Sequence, residues 1–251
     1  MFDLAQAIHP NILALVPYHC ACDDYKDGAL LGANENALGP TIPSHPLGLH
    51  HYPDPSHPAI KTCIATLHGL PLPMHVFLGI SSDKVIDLLI RITTTPTHEK
   101  ILITPPTYGM YAICTQINNI SILKIPLQLT PDAGEGGDSG RFSTRIDNAI
   151  HTVAADPTIK LIFLCSPGNP TGTLISLGAI KAILQAFDSI VMVDEAYIDF
   201  SPPGTSAACL IQKYPNLVVM QTLSKSFGLV AIRLSIALTQ PLDSTGVEVG
   251  E

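Results

Sequence analysis

Between residues 76 and 220 the chain alternates short, almost wholly apolar runs with segments whose apolar residues recur at helical spacing. That alternation is the strongest constraint on the fold. The runs Val76-Phe77-Leu78, Ile101-Leu102-Ile103, Ile122-Leu123-Lys124-Ile125, Leu161-Ile162-Phe163-Leu164, Ile190-Val191-Met192-Val193 and Leu217-Val218-Val219-Met220 are strand-sized. Strands without polar alternation are buried on both faces, as in a parallel sheet covered by helices. Between them, helices are expected over Asp83–Thr93, through Tyr111 and Ile117, over Thr144–Ala155 and over Ser176–Phe187. The class is α/β, a three-layer αβα arrangement around a mostly parallel sheet.

The flanks read differently. The first forty residues lack strong periodicity, and residues 40–58 are dense in proline and histidine, which predicts an irregular connection. The reading divides the chain into an arm and connection at 1–50, a large domain at 51–240 and a divergent tail at 241–251. Residues 131–140, rich in glycine and acid, are an expected exposed loop.

Composition excludes several functions. A formal net charge of −8, with basic residues scattered singly, speaks against nucleic acid or an anionic membrane as partner. No apolar stretch has the length of a membrane span, and the first residues have no signal-peptide pattern, so a cytoplasmic protein is expected. Cys20 and Cys22 beside His19 have no second pair to complete a metal site, and His45, His50, His51 and His57 read as loop histidines.

The chemistry-bearing motifs fall at strand ends, where ligands gather in such sheets. After one strand comes Ser166-Pro167-Gly168-Asn169-Pro170-Thr171-Gly172, a rigid turn that presents Asn169. After the next comes Val193-Asp194-Glu195-Ala196-Tyr197, whose carboxylate could serve a metal, a ribose or a protonated ring nitrogen. After the third comes Thr222-Leu223-Ser224-Lys225-Ser226-Phe227-Gly228, with Arg233 following. An ammonium straight after a buried strand is unusual. Desolvation and a neighbouring cation would lower its pKa and make it a nucleophile toward an aldehyde, while Thr222, Ser224 and Arg233 suit a phosphate.

Together these motifs resemble the fold-type I aminotransferases, and within them the histidinol-phosphate aminotransferases, especially the fungal branch. Further matching segments are Leu31-Gly32-Ala33-Asn34-Glu35-Asn36, Tyr52-Pro53-Asp54-Pro55, Ile86-Asp87-Leu88-Leu89-Ile90-Arg91 and Pro105-Pro106-Thr107-Tyr108-Gly109-Met110-Tyr111. The resemblance implies pyridoxal 5′-phosphate as cofactor and no metal. It implies transamination between L-histidinol phosphate and 2-oxoglutarate in histidine biosynthesis. It also implies residue roles. Lys225 would hold the cofactor covalently and shuttle a proton. Asp194 would pair with the ring nitrogen, Asn169 and Tyr197 would bond the phenolic oxygen, and Tyr108 would stack on the ring. Ser82 and Asp83 would open a helix onto the phosphate, joined by Thr222, Ser224 and Arg233. Tyr52 would reach across a homodimer, and Tyr18 and Asn34 would contact substrate.

Some positions depart from the family pattern. Ser81 stands where glycine is usual, which strains the turn if it needs positive φ, and Lys84 would lie near the phosphate. Ala231 and Ser235 also replace glycines. The resembled enzymes continue beyond the region of Gln240 into a small domain carrying a substrate-gripping arginine, on the order of a hundred residues more. The fold is accordingly expected without that C-terminal small domain. The alternatives are a non-catalytic remnant, or an enzyme for another aromatic or phospho-amino acid.

Overall fold

The computed structural model describes residues 2–16, 33–42, 48–129 and 141–241. Tyr18, the His19-Cys20-Cys22 group, His45, the start of the Leu31–Asn36 segment, the 131–140 loop and the tail beyond Pro241 lie outside the described residues.

Seven strands form one mixed sheet. They are β1 (Val76–Ile80), β2 (Lys100–Ile103), β3 (Ser121–Lys124), β4 (Ile159–Cys165), β5 (Ile190–Asp194), β6 (Leu217–Thr222) and β7 (Leu234–Thr239). Their order is β1-β7-β6-β5-β4-β2-β3, with β7 antiparallel to both neighbours and the remaining pairs parallel. The expected mostly parallel sheet is therefore present, and every strand read from the sequence forms.

β7 is the strand that the apolar runs left unread. Its sequence Leu-Ser-Ile-Ala-Leu-Thr is short and interrupted by Ser235, yet Ser235 is fully buried because β1 and β6 flank it on both sides. Its antiparallel entry also brings Arg233 to the same sheet edge as the carboxyl ends of β1 and β6.

The helices are α1 (Leu4–Ala7), α2 (Pro10–Leu13), α3 (Pro58–Leu67), α4 (Ser82–Thr93), α5 (Met110–Ile117), α6 (Ile146–Ala155) and α7 (Leu177–Ala186). α3 corrects the sequence reading, which ended an irregular region at Pro58 and assigned nothing after it. Proline at the first helical position needs no N–H partner and has its φ preset, so Pro58 starts a helix.

Side-chain alternation along the strands builds the layers. Leu161, Phe163, Cys165, Met192 and Met220 face α4 and α5, joining Val85, Ile86, Ile90, Tyr111 and Cys114 in one core. Ile162, Leu164, Val191, Val193 and Val219 face the opposite side and meet Ile64 of α3, Ala149 and Val153 of α6, and Ile180 and Ile183 of α7. Two apolar faces covered by helices give the three-layer αβα architecture. No helix among the described residues is long and apolar enough to cross a membrane.

Candidate active site at the strand carboxyl ends

One cavity opens where β1, β4, β5 and β6 end. Its lining includes Ser82, Asp83, Tyr108, Asn169, Asp194, Tyr197, Thr222, Ser224, Lys225 and Arg233, all singled out in the sequence. Four residues that the sequence reading missed as site residues, Ser81, Cys165, Ala196 and Val230, also line it. Asn34 and Tyr52 are exposed and outside this lining. Tyr52 instead donates its backbone N–H to Glu35 at 2.6 Å, so the two sequence segments meet each other on the surface.

One end of the cavity is built to take an anion. α4 begins at Ser82, so its unpaired N–H groups and the positive end of its dipole face the site. The Ser82 hydroxyl lies 3.1 Å from that of Ser235, which donates to Thr222 at 3.1 Å. Ser235 thus replaces a backbone approach by a hydroxyl link joining α4, β7 and β6. Arg233 sits in the left-handed region (φ 58°, ψ 37°), its carbonyl accepts the Ser81 N–H at 2.9 Å, and its guanidinium donates to the Val230 carbonyl at 3.1 Å. Lys84 turns instead toward Asp87, with 3.6 Å between charges, and is absent from the cavity lining.

Ser81 adopts φ 69° and ψ 158°. That is a region essentially reserved for glycine, so the strain expected from losing the glycine is present.

The same cavity carries a buried carboxylate. Asp194, the last residue of β5, is 3% exposed. Its Oδ2 accepts from the Tyr111 hydroxyl at 2.6 Å and its Oδ1 from the Ala196 N–H at 3.0 Å. Burial pushes its pKa up to about 6, opposed by the Tyr111 and Ala196 hydrogen bonds, raised further by Asp83 and lowered by Lys225. Burial also pushes the Cys165 thiol up to about 12, with the Asp194 charge adding to it, so Cys165 is no thiolate at neutral pH.

Aromatic residues also line the cavity. The Tyr108 hydroxyl donates to Asp83 at 3.0 Å, and desolvation with that bond raises its pKa to about 12. Lys225 Nζ lies 5.3 Å from the centroid of the Tyr197 ring. Lys225 itself is exposed. The desolvation anticipated from its place after a buried strand is therefore corrected, because the turn after Thr222 carries it out to the rim.

A primary amine, a buried carboxylate and an anion cup in one cavity fit a phosphorylated heteroaromatic aldehyde. Comparison with known proteins agrees. The model of the family described as aminotransferase class I and II matches residues 42–245. The chain belongs to the class I and II aminotransferases. Among its relatives, this aminotransferase chain is 45% identical to the histidinol-phosphate aminotransferase of Candida maltosa over 94% of its own length and 63% of that protein's. It is 44% identical to the one from Schizosaccharomyces pombe, over 95% of this chain and 62% of that protein. The chain thus spans under two thirds of the length of these relatives. The fold matches histidinol-phosphate aminotransferase from Sinorhizobium meliloti in complex with pyridoxal-5′-phosphate, with TM-score 0.63, 21% identity, and coverage of 82% of this chain and 55% of that one. The Clostridium acetobutylicum histidinol-phosphate aminotransferase gives TM-score 0.63 at 23% identity, over 75% and 52%. The aminotransferase fold and the fungal resemblance read in the sequence are both borne out.

Proposed function

We propose that this chain is the cofactor-binding part of a pyridoxal-phosphate-dependent aminotransferase that takes L-histidinol phosphate as amino donor and 2-oxoglutarate as acceptor. The observation that carries the reading is the convergence of Lys225, Asp194 and the α4 N-terminus on one cavity. The donor follows from the relatives' activity, since the fungal histidinol-phosphate aminotransferases are 45% and 44% identical.

The donor set suits the groups of pyridoxal phosphate. The N–H groups of Ser82 and Asp83, with Thr222, Ser224 and Arg233, would hold the phosphate. The Asp194 carboxylate would keep a proton on the ring nitrogen, and the Tyr108 ring would cover the ring face. The Asn169 amide and Tyr197 hydroxyl would donate to the phenolic oxygen. When bound, the cofactor supplies an aldehyde that condenses with amines and a ring that accepts the electron pair released at the substrate Cα. Lys225 Nζ would take the proton from Cα and return it at the product stage. Tyr18 and Asn34 would contact substrate, and Tyr52, exposed and outside the cavity, would reach the site of a second subunit in a cytoplasmic homodimer.

A second reading, cofactor binding without turnover, is favoured by the exposure of Lys225, which leaves its ammonium solvated. Absorbance separates the two. Purified protein given pyridoxal phosphate should develop a visible band that Lys225→Ala removes, and L-histidinol phosphate should then bleach it. A band that L-histidinol phosphate leaves untouched supports the second reading, and no band refutes both.

A further inference from the structure

Asp194 meets four other elements of the fold, and Tyr111 is the partner the sequence did not reveal. Tyr111 sits in the first turn of α5 and is fully buried. Its ring stacks on Phe163 of β4, with centroids 4.7 Å apart and planes 9° from parallel. Tyr108 packs against it in an edge arrangement, with centroids 5.6 Å apart and planes at 86°. The ring therefore has one seat, and the 2.6 Å bond from its hydroxyl to Asp194 Oδ2 has one direction. The Ala196 N–H holds Oδ1. A carboxylate has about four lone-pair sites, so each oxygen keeps one for a ligand in the cavity that Asp194 lines.

The remaining groups around Asp194 balance one another poorly. Asp83 of α4 and the neighbouring Glu195 are acids, Cys165 of β4 is a neutral thiol, and the cation Lys225 is at the rim. Among these neighbours, Tyr111 and the Ala196 N–H are the hydrogen-bond donors to the buried carboxylate.

We propose that Tyr111 is a positioning residue that fixes the Asp194 carboxylate and thereby sets the cavity's preference for a ligand carrying a protonated ring nitrogen. This rests on reading the cavity as a pyridoxal-phosphate site. The hydroxyl acts through Asp194 and touches no ligand itself. Tyr111→Phe keeps the stacked ring and removes the hydroxyl, which donates to Asp194 and also meets the Cys165 thiol.

The test has one readout without ligand and one with it. In apoprotein labelled with ¹³C at aspartate carboxyls, the Asp194 resonance is identified by its loss in Asp194→Asn. Tyr111→Phe should raise its titration midpoint by roughly one pH unit, about a tenfold change in proton affinity, as expected for losing a hydrogen bond to a charged group. A second variant, Tyr111→3-fluorotyrosine, has a more acidic phenol and should lower the midpoint. An unmoved midpoint in both variants overturns the proposal. With ligand, pyridoxal phosphate and its analogue with carbon in place of the ring nitrogen are titrated against each protein. Wild type should prefer pyridoxal phosphate, Tyr111→Phe should cut that preference severalfold, and Asp194→Asn should abolish it. A Tyr111→Phe variant that weakens both ligands equally gives Tyr111 a merely structural role and overturns the proposal. If wild type binds neither ligand, the cofactor reading fails, and the carboxyl titration still decides whether Tyr111 governs Asp194.

Discussion

Ser81→Gly should stabilise the protein, although it deletes a side chain beside the cavity. Ser81 is held at φ 69° and ψ 158°, a conformation that costs a residue with a Cβ about 1–3 kcal/mol. Glycine visits it freely but adds freedom to the unfolded chain, worth about 0.4–1 kcal/mol in the opposite direction. The Ser81 side chain makes no capping bond to α4. The backbone bonds from Ser81 N–H to the Arg233 carbonyl (2.9 Å) and from Lys84 N–H to the Ser81 carbonyl (3.2 Å) are available to glycine. The balance is a gain of about 1 kcal/mol, which for a domain of this size raises Tm by roughly 2–4 °C. Urea and thermal unfolding of apoprotein measure it, with Ser81→Ala as control. Alanine keeps the Cβ and the strain, so its stability should match wild type. Glycine that leaves stability unchanged or lowers it, or alanine that stabilises as much as glycine, would mean that the backbone at residue 81 stores no such strain.

Other consequences can be measured on the same protein. Asp194 has a folded pKa of about 6 against an ordinary 3.8, so the folded state binds its proton more tightly than the unfolded chain. Apoprotein stability should therefore rise as pH falls from 7 toward 4, by up to about 3 kcal/mol from this group. Burial moves Glu195 the same way, so Asp194→Asn should flatten the urea-midpoint profile only in part. Asp156, held down to about 2 chiefly by its hydrogen bond from Lys100 (2.7 Å), works oppositely. Its contribution is complete above the unfolded value and is lost as pH drops toward 2. Phe163→Ala, which empties a fully buried site against Tyr111, should cost about 3–5 kcal/mol in urea unfolding. Ser235→Ala removes both hydroxyl contacts, to Ser82 and to Thr222, and should cost about 1–2 kcal/mol by the same assay.

Much of the fold was legible because burial writes itself plainly into parallel strands. Each residue from Leu161 to Leu164 is fully buried, since β4 has sheet neighbours on both sides and helices on both faces. β7 was not legible, because a strand between β1 and β6 tolerates a buried Ser235 once Ser82 and Thr222 supply partners. α3 was hidden behind the prolines that precede it. In the site, residues at strand ends could be read by their place, and the Ser81 strain by the glycine it replaces. Tyr111 could not, because its spacing in α5 is that of a core residue, and only the three-dimensional packing points its hydroxyl at Asp194. The exposure of Lys225 was also out of reach, since it depends on the direction of the turn after Thr222 rather than on the strand before it.

On the proposed function, Lys225 is the residue to which pyridoxal phosphate attaches. Protein incubated with pyridoxal phosphate, reduced with borohydride and digested should yield one modified peptide, with the pyridoxyl group on Lys225 and none in Lys225→Ala. Label spread over exposed lysines such as Lys84 and Lys213, at a level that Lys225→Ala leaves unchanged, would rule that attachment out.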